Sequence, residues 1–364
     1  GGLGYVTSYT YDVLGNLTHV TQFGQGRTFV YDSLGRLRQS TQPESGTEHY
    51  SYDRDGNLLW TTDAREVAVT NTYDDLGRVV HTGYSDGTPA VDSVYDDPAE
   101  PFSKGRLTSI SNGVSTTTYR YDALGQVIRS SQSIAGRLTP FVFTYKYNRA
   151  GTMIEMVYPS GRRIATGTDE TNRPETLFDP STPGQAFASV YEYHPHGAVQ
   201  LMLLGNGLYQ ATGFTQRLQP SFVGLGPAPT HLNTFLLSYR YGNPDAGGPT
   251  PNNNGNVEQQ IIQIKHFDPT WQDYTYDALN RLQTATEVFG FGQSPSWHQT
   301  YAYDRYGNRA VTEGYRPSPQ TPHGVGAYNV TKNQLWTAQY DLAGNMTVDP
   351  QGRTSTYDAE NRQT

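Results

Sequence analysis

Tyrosines separated by a single residue recur along the chain: Tyr9 and Tyr11, Tyr50 and Tyr52, Tyr119 and Tyr121, Tyr145 and Tyr147, Tyr191 and Tyr193, Tyr239 and Tyr241, Tyr301 and Tyr303. That spacing places both rings of a pair on one face of a β-strand. Helical periodicity is nearly absent. Each run leads into the same polar segment, Tyr-Asp-x-x-Gly, followed by Asn or Arg and usually an aliphatic residue. It reads YDVLGNL (Tyr11, Asp12, Gly15, Leu17), YDSLGRL (Tyr31, Asp32, Gly35, Leu37), YDRDGNL (Tyr52, Asp53, Gly56, Leu58) and YDDLGRV (Tyr73, Asp74, Gly77). Further copies are YDALGQV (Tyr121, Asp122, Gly125), YDRYGNR (Tyr303, Asp304, Gly307) and YDLAGNM (Tyr340, Asp341, Gly344). A repeat this small cannot fold alone and gains stability by stacking on its neighbours.

Aspartate opening a four-residue turn with glycine three places later predicts a type I turn, a left-handed residue and a bulge on the returning strand. Each copy is then a β-hairpin with Asp12 and Asn16 at its base, Val13 and Leu14 at its tip, and Tyr11 opposite Leu17. Asp12 is placed to accept hydrogen bonds from the turn amides. Imperfect copies fit the reading, because asparagine best replaces glycine in the left-handed region. Asn280 does so in YDALNRL (Tyr276, Asp277), Asn361 in YDAENRQ and Asn172 in TDETNRP. YNRAGTM at Tyr147 and YHPHGAV at Tyr193 keep glycine and lose aspartate. The closing aliphatic residue fails at Arg309, Pro174 and Gln363, which leaves pairing there open.

Tyr11, Tyr31, Tyr52, Tyr73 and Tyr95 follow one another at 20, 21, 21 and 22 residues, which suits two strands and two turns per unit. The second turn is visible at Pro43 to Gly46, Ser85-Asp86-Gly87, Ser111-Asn112-Gly113, Pro159-Ser160-Gly161 and Pro350-Gln351-Gly352. About thirteen such units give roughly two dozen strands, while twisted open sheets rarely exceed about ten without curling. The expected fold is all-β: a long antiparallel meander of hairpins coiled into a spiral shell, partial or open. Residues 1–364 are expected to be one continuous array, regular over 1–130, worn over 131–260 with a long loop at 242–256, and regular again over 261–364 with a loop at 314–333. Binding specificity would sit in those two loops, and disorder is the alternative.

Composition narrows the function. An apolar fraction of 35%, with 28 tyrosines, 38 glycines and 22 prolines, is thin for a conventional core and suits a shell with a polar or partly hollow inside. A net charge of −8 without any basic run argues against nucleic acid. The absence of cysteine excludes disulfides, thiolate metal sites and cysteine nucleophiles. No signal peptide and no long apolar segment is present, so no membrane span is expected. The chain begins Gly1-Gly2-Leu3-Gly4 without methionine and ends inside a repeat, as a fragment of a longer polypeptide would.

Chemical motifs are few, and each has a plainer reading. Gly83-Tyr84-Ser85-Asp86-Gly87 has the form of a nucleophile elbow, but no helical pattern follows and it fills the second-turn slot. His194-Pro195-His196 offers two imidazoles where zinc needs three or four ligands, and reads as a hairpin tip. Asp53-Arg54-Asp55-Gly56-Asn57 begins like a calcium loop but lacks the glycine and glutamate that loop requires. Asp74-Asp75 and Asp96-Asp97 read as solvated turn residues. The pairs Gly205/Gly207, Gly224/Gly226 and Gly290/Gly292 lack the full phosphate-binding pattern. The tyrosines, with Trp60, Trp271, Trp297 and Trp336, could stack on sugars, and cross-strand packing is the plainer account. Asn16, Asn329 and Asn345 open glycosylation sequons, two of which are the repeat's own ending. The expectation is therefore no catalytic residue, no metal and no cofactor.

YDVLGNL, YDSLGRL, YDALGQV, NNNGNV at Asn252, YDALNRL and YDAENR resemble the YD-repeat or RHS-repeat family of bacterial polymorphic toxins, insecticidal toxin-complex shell proteins and teneurins, over nearly the whole chain. That resemblance implies a β-sheet cocoon, often around a C-terminal toxin, or an adhesive role in the animal branch. The self-cleaving segment of toxin-encapsulating members is absent here, so neither cleavage nor toxicity carries over to any residue. The expected function is a non-enzymatic shell segment of a secreted or cell-surface bacterial protein. Its expected partners are an enclosed toxin or other parts of the parent protein, with self-association through sheet edges. The alternative is an adhesion or carbohydrate-binding module using exposed aromatics and the long loops. In the shell reading Leu14, Leu34, Leu76, Leu124 and Leu279 at the hairpin tips pack beneath the adjoining turn of the spiral.

Overall fold

The structure, a computed structural model, describes residues 4–182, 184–242, 253–290, 295–314 and 321–364. Most of the proposed loop at 242–256, the first part of that at 314–333, and Gly292 lie outside the described residues. Among the described residues twenty-six strands form one antiparallel meander, and no pairing there joins the first strand to the last, so the sheet is not closed. The residues group into two compact units. The first comprises Gly1–Val142, Tyr303–Ala310 and Ser318–Thr364, and the second Phe143–Ala302 and Val311–Pro317.

Within each unit a strand pairs with the next in sequence, as Ser8–Tyr11 does with Leu17–Gln22 and the latter with Gln25–Tyr31. Hairpin register follows the repeat. Tyr11 faces Leu17 across a bulge, and the same one-residue shift recurs at Tyr31–Leu37, Tyr52–Leu58, Tyr73–Val79, Tyr121–Val127 and Tyr276–Leu282. Gly15 takes φ 84° and Asn280 takes φ 60°, the left-handed conformation the bulge requires. Pairing forms even where the closing aliphatic residue is missing, at Thr168–Pro174 and Tyr357–Gln363.

Few side chains are buried outright. Among the described residues the buried apolar ones are Ala165, Tyr241, Ala285, Ala310, Val311 and Ala359. Cohesion therefore comes from the backbone ladder and from half-buried tyrosines more than from a large core. One expectation is corrected. The tip leucines are not packed under anything: Leu14, Leu34, Leu76 and Leu124 are 70, 73, 74 and 75% exposed, and Leu279 is 53% exposed. The cause lies in the turn. Asp12 Oδ1 accepts from the Leu14 amide at 2.9 Å, so the tip is closed by its own polar group and needs no apolar cover.

Part of the segment expected to be a loop is ordered. Val325–Ala327 forms a 3-10 turn, and Tyr328–Asn329 pairs with Gln334–Leu335.

Candidate functional site: the seams between repeats

The turn aspartate organises each hairpin. In the first repeat Asp12 Oδ1 accepts from the amides of Leu14 and Asn16, both at 2.9 Å, and Oδ2 accepts from Asn16 Nδ2 at 2.9 Å. Where arginine follows the glycine, its Nε takes the place of the amide: Arg36 donates to Asp32 at 2.8 Å and Arg78 to Asp74 at 2.7 Å. This explains why the position after glycine is Asn or Arg, each offering a planar N–H to the same carboxylate oxygen. The side chain of Asn16 holds the Asp12 carboxyl below its usual pKa, as Asn57 does for Asp53. The backbone amides of Arg36 and Arg78 lead the same effect at Asp32 and Asp74.

A second bond links one repeat to the next. The tyrosine hydroxyl donates to the carbonyl of the residue that closes the preceding turn: Tyr73 to Leu58 at 2.8 Å, Tyr121 to Leu107 at 2.6 Å, Tyr241 to Pro220 at 2.9 Å, Tyr276 to Val257 at 2.7 Å. Tyr193 donates in the same way to Pro174, Tyr328 to Arg309 and Tyr357 to Met346. The acceptor is backbone, so proline or arginine can replace the aliphatic residue without losing the bond.

Arginine and asparagine reach across the same seam. Arg36 lies 5.0 Å from the ring centre of Tyr52, Arg78 4.4 Å from Tyr95 and Arg173 4.5 Å from Tyr193. Where asparagine fills the left-handed slot, an asparagine of the preceding repeat donates to its side-chain oxygen: Asn148 to Asn172 at 2.6 Å, Asn254 to Asn280 at 2.8 Å, Asn345 to Asn361 at 2.7 Å.

A third seam, within the first unit, joins residues far apart in sequence. Successive C-terminal turns land on successive inter-repeat turns of the N-terminal hairpins. Tyr306 donates to the Gln22 carbonyl at 3.1 Å, and Arg305 lies 4.6 Å from the ring centre of Phe23. The Gln25 side chain, 1% exposed, donates to the Val330 carbonyl at 2.9 Å and to Asn333 Oδ1 at 2.8 Å. A methyl group on Gly344 would lie 2.6 Å from the Glu44 carbonyl oxygen. Arg65 donates to the Asp358 carbonyl at 3.1 Å, Ala359 N–H donates to Thr88 Oγ1 at 3.1 Å, and Tyr84 donates to Glu360. This winding contact uses glycine backbone and buried polar side chains, not tip leucines. The sequence reading missed Gln25, Arg65 and Tyr84. The stretch Asp63-Ala64-Arg65-Glu66 carried a readable signal, for Asp63 Oδ1 accepts from the Arg65 and Val67 amides as in the hairpin turns, with Glu66 at φ 65°.

The motifs weighed for chemistry take structural places. Ser85 Oγ accepts from the Ala68 amide at 2.8 Å and closes its turn. His194 and His196 stack 5.3 Å apart against Phe214. Among the described residues no group of acidic, histidine or cysteine side chains could hold a metal ion, and no helix is long and apolar enough to cross a membrane.

The seams should set the pH range of stability. A carboxyl with a lowered folded pKa stabilises the fold above its unfolded pKa of about 4, and the gain is lost as pH falls through the lowered value. Burial pushes up the Tyr50 and Tyr84 hydroxyls, helped by their bonds to Glu48 and Glu360, to about 12. Their contribution is whole below about pH 10 and is lost as pH rises toward 12. Thermal melts followed by circular dichroism are expected to hold a plateau from about pH 5 to 9 and fall on both sides. An unchanged melting temperature between about pH 7 and 3 would contradict this account of the turns.

Residues 31–68 match the family model described as RHS Repeat. No curated protein matches the chain by sequence. In fold the chain is similar to the crystal structures of TcdB2-TccC3 without its hypervariable C-terminal region and of TcdB2-TccC3-Cdc42, each with TM-score 0.80 and 16% identity over 99% of this chain. It is similar also to a Tc holotoxin pore of Photorhabdus luminescens, with TM-score 0.79, 16% identity and the same coverage. In each case it spans 20% of the other chain, about a fifth of its length.

Proposed function

We propose that this chain of RHS repeats is a non-enzymatic wall segment of a secreted or surface-displayed bacterial protein of the toxin-complex kind, screening an attached toxin or another part of its parent polypeptide. The observation that carries the reading is where the polar chemistry goes. Turn aspartates close each hairpin, and tyrosine hydroxyls, arginines and paired asparagines bond one repeat to another, as a load-sharing wall requires and a catalytic surface does not. Likeness in fold to the TcdB2-TccC3 structures supports it, and the hypervariable C-terminal region named for that relative suggests what such a wall would accompany.

Proteolysis of the parent polypeptide tests this. Segments flanking the array are expected to resist trypsin when it is intact and to become cleavable when Asp53→Ala and Asp74→Ala together loosen two turns. Ser85→Ala should alter neither protection nor any toxic activity. Flanking segments digested equally fast with and without residues 1–364 would rule the screening role out.

A further inference from the structure

The chain contains three Asn-Gly pairs, Asn112-Gly113, Asn206-Gly207 and Asn254-Gly255. In such a pair the glycine amide nitrogen lies beside the asparagine carboxamide with no side chain to shield it. Attack of that nitrogen on the carboxamide carbon is favoured by three things: a glycine N–H that is not already bonded, donors on the oxygen where negative charge develops, and an amine free to leave.

The three pairs differ in these respects. Gly207 N–H donates to the Leu204 carbonyl at 2.9 Å, and Gly255 N–H donates to Asn253 Oδ1 at 3.0 Å. Among the described residues nothing accepts from the Gly113 N–H. Asn206 Oδ1 accepts one amide, that of Leu208 at 3.1 Å, and Asn254 Oδ1 accepts one, that of Asn256 at 3.0 Å. Asn112 Oδ1 accepts two, from Val114 at 3.2 Å and from Ser115 at 2.9 Å. Asn254 Nδ2 is held by Asn280 Oδ1 at 2.8 Å, whereas Asn112 Nδ2 donates to nothing among the described residues. Of the three pairs, Asn112-Gly113 alone meets every condition.

The fold keeps this pair in reach of water. It sits in the tight turn between Leu107–Ser111 and Ser115–Tyr121, where Asn112 N–H donates to the Ser115 carbonyl at 3.1 Å and Ser111 pairs with Thr116. Gly113 is exposed at φ 74°, and a methyl group on it would meet nothing within 4 Å.

We infer that Asn112 is a self-modifying site, which loses its carboxamide nitrogen through a cyclic imide with Gly113. The Gly113 amide nitrogen gives its proton to hydroxide and forms a bond to Asn112 Cγ. Oδ1 takes up the negative charge against the amides of Val114 and Ser115, a small oxyanion hole built by the turn itself. The Cγ–Nδ2 bond then breaks, the nitrogen leaves as ammonia with a proton from water, and a second water opens the imide to aspartate at one carbonyl or to isoaspartate at the other. No oxidant or reductant is consumed. An aspartate keeps an acceptor for the two amides. An isoaspartate adds a methylene to the main chain inside the turn and loosens the pairing of Ser111 with Thr116. The site stands apart from the seams and does not depend on the wall role.

Peptide mapping by mass spectrometry tests it, on the full chain aged at mildly alkaline pH either folded or unfolded in guanidinium chloride. Unfolded, the three asparagines are expected to convert at similar rates, because glycine follows each of them. Folded, Asn112 should convert about tenfold faster than Asn206 and Asn254, and no slower than in the unfolded chain. Val114→Pro removes one of the two donors to Oδ1 and should slow Asn112 about fivefold while leaving Asn206 unchanged. If Val114→Pro does not fold, the comparison within the unaltered chain decides alone. Asn112 converting no faster than the other two in the folded chain, or more slowly folded than unfolded, overturns the inference, as does a rate at Asn112 that a folded Val114→Pro leaves unchanged.

Discussion

Gly344→Ala is expected to destabilise the first unit by about 3 kcal/mol, whereas Gly15→Ala should cost about 1 kcal/mol. Both glycines occupy the same place in the same hairpin turn, and both have φ 84°. Alanine in the left-handed region costs roughly 1–2 kcal/mol at either position. Their surroundings differ. A methyl group on Gly15 meets nothing within 4 Å, while one on Gly344 falls 2.6 Å from the Glu44 carbonyl oxygen and 3.4 Å from Ser45 Cα. Those atoms are backbone and cannot turn aside as a side chain would. The difference, about 2 kcal/mol, measures the winding contact separately from turn strain. Hydrogen exchange at the amides near Glu44 and Gly344 reads it locally, which matters because a repeat array need not unfold in one step. Equal effects at the two glycines would show that this contact contributes nothing.

Gln25→Ala should cost a comparable amount, about 3 kcal/mol. The side chain is 1% exposed and is the largest that is fully buried among the described residues. Its Nε2 donates to the Val330 carbonyl and to Asn333 Oδ1, and its Oε1 accepts from Asn333 Nδ2 at 3.1 Å and from Arg27 Nη2 at 3.4 Å. Truncation empties the space of a fully buried side chain and takes a donor and an acceptor from the Asn333 side chain, and a partner left unsatisfied costs about 1–3 kcal/mol. Gln132 is the control. It is exposed, its Nε2 donates to Ser115 Oγ at 3.0 Å, and Gln132→Ala should change stability by no more than about 0.5 kcal/mol. Urea denaturation of the three proteins checks the ranking. Gln25→Ala as mild as Gln132→Ala would mean that the C-terminal segment is not held by this residue.

Both predictions concern a contact that the sequence did not reveal. Its participants, Gln22 to Gln25, Glu44 to Gly46, Arg65 and Tyr84 to Thr88, lie in the turns between hairpins. The sequence marks such turns at Pro43 to Gly46 and Ser85 to Gly87 only as bends, because Gly, Pro, Asn and Ser do not say what rests on them. Asp63 to Glu66 keeps the opening aspartate but has glutamate in the left-handed place, so a pattern of glycine or asparagine does not find it. The tip leucines are the stronger signal in the sequence, because an exposed aliphatic residue implies cover. Gly224 and Gly226 complete no phosphate motif, and their place is to let His231 and Leu232 lie close on the sheet.

The hairpin, its bulge, the left-handed glycine or asparagine and the all-β meander were legible because they are closed within a few residues. Asp12 to Asn16 satisfies its own amides and carboxylate, so composition and spacing suffice to specify it. Pairing of neighbouring hairpins follows almost as directly, because Tyr73 needs only a backbone carbonyl from Leu58, and any residue supplies one. Which C-terminal turn meets which N-terminal turn is different. It depends on twist accumulated over many strands, which no local pattern encodes, so the placing of Gln25 under Val330 and of Gly344 against Glu44 was decided only in three dimensions.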